Sequence, residues 1–504
     1  MHQSEVIYFN RSQIEELYRL AGLPVPVRQK TISVRSHGGQ KEIGGPNCKS
    51  INVIDENNSH SLFLDCGARP YNDELGDEVK EKFIPNFDGV DWNTVDGLVI
   101  SHGHQDHVSG IPHLIHMRGI RENPFPIYCS EIAKIVIERV LFYAIQKRRI
   151  SEEEANTVEF RPLKTEQKIG PFFVFSFPIC HTIQESRALV VSAAGKNICY
   201  LTDFRFQMSG QIEWNKTVNT LQTIGQMGID LLLIDATGGE DQKQNVTSLI
   251  STSTEFQKII KKRDFAGRRI IIANFSVSGE ENSLFASIAN EIGRRRVETS
   301  GGPNSAMTYF CRQFGVFRED FQKRFSENNA VIFVTGSQAE PDATLTKASH
   351  KDSDNIKLLP DDVVVIPTRV IPGNRLAVNG MLDRLSKIVY KIIVAGISEE
   401  DARKFGKIGE SKKNNFDSDQ TSKDEAEEEE NYNNANWRVE SCPRLHASGH
   451  ADFSELAEAV RLVSPGVVSA IHAHATRRHR FERNLRRRLT VTTNGLPVDG
   501  TITI

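Results

Sequence analysis

What this sequence lacks narrows it first. No apolar run in its 504 residues approaches the length of a membrane span, and the opening MHQSEVIYFNRSQIEELYRL has no basic-then-apolar signal-peptide layout. A cytoplasmic protein is expected. The 7 cysteines (Cys48, Cys66, Cys129, Cys180, Cys199, Cys311 and Cys442) are scattered, odd in number and never spaced CxxC. That argues against a disulfide framework and against a cysteine-type zinc site, and leaves buried thiols as the expectation. Net charge is small as well, at -3, so the average carries no sign of nucleic-acid binding. No internal repeat is evident.

The average hides uneven segments. Residues 417–430, DSDQTSKDEAEEEE, hold eight acids against one lysine, so the rest of the chain is net positive. TRRHRFERNLRRRL, Thr476 to Leu489, holds seven arginines, and RRR recurs at Arg294 to Arg296. Such patches suit a phosphate backbone, and equally a solvated helix face.

A chain this long exceeds one ordinary core, so at least two compact units are expected. Residues 1–30 read as an N-terminal extension in which Ile14, Leu17, Tyr18 and Ala21 recur at helical spacing before the breaker LPVPV. From Thr31 to about Arg205, short apolar strands such as SLFLDCG, FFVFSF and NICYLTD alternate with glycine turns and helical patterns. A second α/β rhythm runs from about Asp230 to Ala395, and residues 406–436 turn acidic, asparagine-rich and poor in apolar side chains, as a disordered insertion would.

The densest chemistry is SHGHQDHVSG, residues 101–110. It follows DGLVI, a short β-branched run that predicts a buried strand, and precedes a predicted helix. His102, His104, Asp106 and His107 therefore converge at a strand's carboxyl end, and neutral imidazole and carboxylate are what a zinc ion accepts. Further ligands are sought at other strand ends. His181 follows FFVFSFPIC, Asp203 ends NICYLTD and His472 follows VVSAI.

With those residues placed, the chain resembles the metallo-β-lactamase superfamily and, within it, the β-CASP nucleases of the bacterial ribonuclease J type. The ordered motifs SVRSHGGQKEIGGPN, FLDCG, HGHQDH, CHTIQES, YLTDFRF, VTGSQAEP, VIPGN, LHASGHAD and IHAH carry the resemblance over most of the chain. It implies an α/β fold, an αββα sandwich with an inserted α/β β-CASP domain. The expected boundaries are an extension at 1–30, a first sandwich part at 31–215, the insertion at 216–440 including the acidic segment, and a return segment at 441–504. Carried over residue by residue, the family pattern gives one zinc His102, His104 and His181, and the other Asp106, His107 and His472, with Asp203 bridging. Mn²⁺ is a possible substitute.

The resemblance also implies a function: hydrolysis of phosphodiester bonds in single-stranded RNA, from the 5′ end, internally or both. Two cations sharing a water lower its pKa and offset phosphoryl charge. Asp106, His450 and Glu340 are the expected catalytic residues, with His450 protonating the leaving oxygen and Glu340 orienting it. The segment His446, Ala447, Ser448, Gly449 and His450 resembles the family loop that grips RNA phosphate, and Ser186 is expected to add a hydroxyl contact. Asp65 is expected to fix an imidazole tautomer. Phe206, Phe275 and Tyr309 read first as core residues, with base stacking as the alternative.

The family pattern is not followed everywhere. Ala473 and His474 stand where the family usually has glycine and glutamate, which makes His474 a rival ligand to His472. Little sequence follows that motif, so the separate C-terminal domain typical of ribonuclease J is not expected, and oligomerisation through it is in doubt. The acidic insertion and the N-terminal extension are candidate sites for a protein partner. Two other functions stay open: a dinuclear zinc phosphodiesterase acting on DNA or another phosphodiester, and a catalytically silent RNA-binding scaffold.

Overall fold

The computed structural model describes residues 31–39, 45–54, 58–68, 84–208, 211–239, 248–294, 297–300, 309, 328–371, 374–406, 437–496 and 500–504. The predicted N-terminal helix, the acidic insertion, Arg295, Arg296 and Cys311 lie outside the described residues. Among the described residues the strands form three sheets, two of seven strands and one of six.

The first two sheets make the sandwich. In one, the order across the sheet is Thr501–Thr503, Thr31–Gly38, Cys48–Ile54, Ser59–Leu64, Val95–Val99, Phe125–Cys129 and Val158–Pro162. In the other it is Thr492–Thr493, Val467–Ile471, Leu231–Asp235, Lys196–Leu201, Arg187–Ala193, Phe172–Pro178 and Glu166–Ile169. The sequence explains their depth. Phe172–Pro178 alternates buried and open positions, as an antiparallel strand with one wet face does, whereas Leu231–Asp235 lies between two parallel neighbours and is buried throughout.

Val34, Ile51, Leu62, Val191, Leu233 and Ile471 fill the space between the sheets. Helices cover both outer faces. Ile111, Leu114, Ala133 and Ile137 pack on one sheet, and Leu221, Leu456, Phe481 and Leu485 on the other. The result is the αββα arrangement.

The third sheet is parallel throughout its described pairs, in the order Val297–Thr299, Val331–Val334, Ile270–Ala273, Val363–Ile366, Lys391–Val394 and Val439–Ser441. Its central strands IIIA, VIFV and VVVI are wholly buried, with apolar clusters on both faces.

The boundary expected at residue 215 moves. The helix Gln211–Gln226 packs on the sandwich through Leu221 and Ile224, and Leu231–Asp235 pairs with Lys196–Leu201 and Val467–Ile471. The sandwich's first part therefore extends to residue 239. Chain departure and return lie side by side: Gly238 bridges Asp452, so closely that a Cβ on Gly238 would meet Ala451 O at 1.9 Å. No helix among the described residues is long and apolar enough to cross a membrane.

The five cysteines Cys48, Cys66, Cys129, Cys199 and Cys442 are buried free thiols, while Cys180 is half-buried. Arg294 does not belong to a basic surface patch. It is buried and donates to the carbonyls of Phe265 and Arg268.

Candidate metal centre

Every ligand-type side chain of the centre follows the carboxyl end of a sandwich strand, where α/β folds place ligands. Val95–Val99 leads into His102, His104 and the single helical turn Gln105–Val108, which carries Asp106 and His107. Phe172–Pro178 leads into His181, Lys196–Leu201 into Asp203, and Val467–Ile471 into His472. The turn is clamped from below. Asn47 N–H donates to Asp106 O, Cys66 N–H donates to His107 O, and a Cβ on Gly67 would meet Asp106 O at 1.6 Å. His472 itself stands at φ 59° and Asp65 at φ 55°, in the left-handed region, which costs a non-glycine residue about 1–2 kcal/mol.

The side chains form two groups whose donor atoms lie within 4.8 Å of one another: His102, His104, His181 and Asp203, and then Asp106, His107, Asp203 and His472. Asp203 serves both. Its Oδ2 is 3.8 Å from His102 Nε2 and 3.7 Å from His181 Nε2, while its Oδ1 is 3.5 Å from His107 Nε2.

The imidazole tautomers suit cations in both groups. His181 Nδ1 donates to Gly449 O at 2.9 Å, which leaves a lone pair on Nε2. Ser101 Oγ gives its proton to Asp65 and so accepts from His102 Nδ1 at 3.0 Å, with the same consequence. Those two Nε2 atoms face His104 Nδ1 at 3.2 and 3.1 Å. Two unprotonated Nε2 atoms converging on a third imidazole nitrogen fit a cation. Burial and neighbouring imidazoles keep the three rings neutral, with His104 lowered to about 4 and His181 to about 3.

Around the second group, carboxylates attract positive charge. Burial opposes the protonated form of His107, but Asp203, Asp106 and Asp65 outweigh it and raise its pKa to about 10. A bound cation satisfies the same carboxylates and displaces the protons. Asp65 orients this ring, accepting from His107 Nδ1 at 2.7 Å while Ser101 and Tyr200 hold the carboxylate.

Sequence reasoning missed Asp235. Its Oδ2 lies 2.8 Å from His450 Nδ1 and its Oδ1 3.3 Å from His472 Nδ1. The signal was there: DLLLIDA ends an apolar strand in aspartate, as NICYLTD does at Asp203. Asp235 takes the place expected of Glu340. The Glu340 carboxylate accepts from its own loop, at Gln338 N, 3.1 Å away, and Gln338 ties that loop to Thr368 and Arg369. Burial disfavours protonated His450, but Asp203 and Asp235 raise its pKa above the usual histidine value.

Other expected contacts also change. Ser186 is buried and its hydroxyl donates to Ile183 O, closing a turn. His446 turns Nδ1 to Pro367 O, and Ala447 is buried with its N–H against Glu281. That leaves Ser448, Gly449 and His450 beside the centre. Arg205 holds the Ser448 carbonyl at 3.1 Å, and the Ser448 and Gly449 N–H groups have no partner among the described residues. His474 is exposed and caps the helix Ala475–Arg488, so it does not rival His472. Phe206 is fully buried and is a core residue; Tyr309 is half-buried against a helical layer, and Phe275 is half-buried.

Residues 78–263 match the family described as "Beta-lactamase superfamily domain", and residues 267–385 match "Ribonuclease J, beta-CASP domain". Ribonuclease J of Mycobacterium tuberculosis is 26% identical over 382 residues, covering 73% of this chain and 64% of that protein. Ribonuclease J 1 of Streptococcus pyogenes is 28% identical over 380 residues, covering 73% and 63%, and the Corynebacterium glutamicum ribonuclease J is 23% identical over 404 residues, covering 77% and 52%. The chain thus spans less than two-thirds of the length of these relatives. In overall fold it is similar to a solved Enterococcus faecalis V583 protein of unknown function, with TM-score 0.54 and 15% identity over 94% of this chain and 100% of that one. The αββα sandwich, the inserted parallel-sheet domain and the histidine–aspartate centre thus come together in a chain that combines a β-lactamase superfamily domain with a ribonuclease J-type β-CASP domain.

Proposed function

We propose that this chain is a cytoplasmic metal-dependent ribonuclease that hydrolyses phosphodiester bonds of single-stranded RNA, with two zinc ions as its resident metals. The convergence of seven nitrogen and carboxylate donors into two groups joined by Asp203 carries the reading. His102, His104 and His181 would hold one ion, Asp106, His107 and His472 the other, with Asp203 between them. Two such cations lower the pKa of a shared water and offset charge on phosphoryl oxygens.

The chain's own groups do the rest. The Ser448 and Gly449 N–H groups, without a partner among the described residues, would offer an anionic phosphate a small donor-rich loop. Asp235 fixes His450 by its Nδ1, so Nε2 is the atom that gives a proton to the departing oxygen. Arg205 anchors the loop behind it through the Ser448 carbonyl.

The test follows product length over time on single-stranded RNA with a 5′ monophosphate, comparing zinc-loaded protein with the Asp106→Ala, His107→Ala variant. Mononucleotides mean attack from the 5′ end and internal fragments mean an open channel. No metal-dependent cleavage sinks the reading.

A further inference from the structure

Two exposed rings, Phe142 and Tyr143, lie outside the aromatic residues the sequence suggested. The helix Glu131–Gln146 begins beside the metal loop, where Gly103 packs against Ala133 and Val136, and it buries Ile132, Val136, Ile137 and Leu141. Its outward face carries Arg139, Phe142, Tyr143 and Gln146, spaced i, i+3, i+4 and i+7. Phe142 is 54% exposed and Tyr143 56%, with ring centroids 5.7 Å apart at 72°. Two adjacent rings that each leave more than half of their area open form an exposed apolar patch of the kind that marks an interaction surface.

Their surroundings select its chemistry. Lys147, Arg148 and Arg149 end the helix, all three exposed. Arg148 sits at φ 56°, where glycine ends a helix without strain. Lys147 Nζ reaches Asp342 Oδ2 at 3.1 Å, on the loop that carries Glu340, so the patch borders the junction between the sandwich and the inserted domain. From Ala133 to Tyr143 the helix advances about 15 Å.

We propose that this patch is a second contact surface for single-stranded RNA, with bases stacking on Phe142 and Tyr143 and phosphates paired with Arg148 and its basic neighbours. The proposal rests on the ribonuclease reading and extends it to a segment of substrate outside the metal centre. An unpaired strand offers both ring faces and phosphates, which this arrangement matches; a duplex hides its ring faces. Stacking accepts any base, so the surface favours length over sequence.

The experiment uses the full-length, metal-loaded protein. Phe142→Ala, Tyr143→Ala should raise KM for a single-stranded RNA of about 30 nucleotides by roughly tenfold or more, at unchanged kcat, because each stacked base contributes substantially to binding. Hydrolysis of bis(p-nitrophenyl) phosphate, too small to span the two sites, should stay as in the parent. Tyr143→Trp in the Phe142→Ala background should recover part of the loss, and Arg148→Gln should reduce the salt dependence of RNA binding by about 0.7 in log–log slope. Unchanged KM in a parent that cleaves RNA overturns this proposal alone. A parent that neither binds nor cleaves RNA overturns the ribonuclease reading with it. A parent dimer that the double alanine variant dissociates overturns it in favour of a protein interface.

Discussion

Glu281→Gln tests the electrostatics of the loop that faces the metal centre. Glu281 lies in the first turn of the helix Gly279–Glu291, accepts from Asn274 Nδ2 at 2.8 Å and faces the Ala447 N–H, while its Oε1 is buried without a partner. Burial pushes its carboxyl from 4.5 up to about 7, against the opposing pull of Asn274 and the Ala447 N–H. A raised acid favours folding while protonated. Its contribution is complete below pH 4.5 and is lost as pH rises through about 7. Full ionisation then destabilises the fold by about 3 kcal/mol. Glutamine cannot ionise and keeps an acceptor for Asn274. Thermal unfolding from pH 5 to pH 8 should show near-equal stability at the acid end and a variant several degrees more stable at the alkaline end. Parallel curves, or a variant less stable at pH 8, would refute the reasoning.

Asp235→Asn should lower RNA cleavage by roughly 10–100-fold, because it weakens the hold on His450 and His472 together; single-turnover rates with metal content measured alongside check this. Asp65→Ala removes the carboxylate on His107 Nδ1 and should weaken metal retention by roughly 10–100-fold, read by competition with a chromogenic chelator. Exhaustive chelation should abolish cleavage and lower the unfolding temperature, since the Nε2 atoms of His102 and His181 and Nδ1 of His104 then face one another without a cation between them. Restoring zinc should reverse both effects.

The main parts of the centre were legible because metal chemistry is written in local clusters. HGHQDH is a dense run of ligand types behind an apolar strand, and His181, Asp203 and His472 repeat the strand-end signature. Partner choice was not legible. Glu340 lies in a loop six residues past the strand Val331–Val334 and Asp235 ends a strand, and only the fold shows that Asp235, on a strand next to the one that leads into His472, reaches two imidazoles at once. The boundary at 215 failed for a related reason. Leu231–Asp235 reads as a buried parallel strand in either unit, and its neighbours, not its composition, assign it to the sandwich. The open rings of Phe142 and Tyr143 were hidden because helical spacing alone suggests an apolar face turned inward.

The contact between Gly238 and Asp452 has a temporal side. Six of the seven candidate ligands are synthesised by residue 203, yet the seventh, His472, is made only after the inserted domain. Domains fold as units in the order they appear, and each addition takes its share of synthesis time. A growing or truncated chain therefore carries a second-sheet gap where Val467–Ile471 belongs, beside Leu231–Asp235, and an incomplete ligand set. The centre is therefore completed only after the inserted domain has been made, and under the proposed function competence waits for that domain.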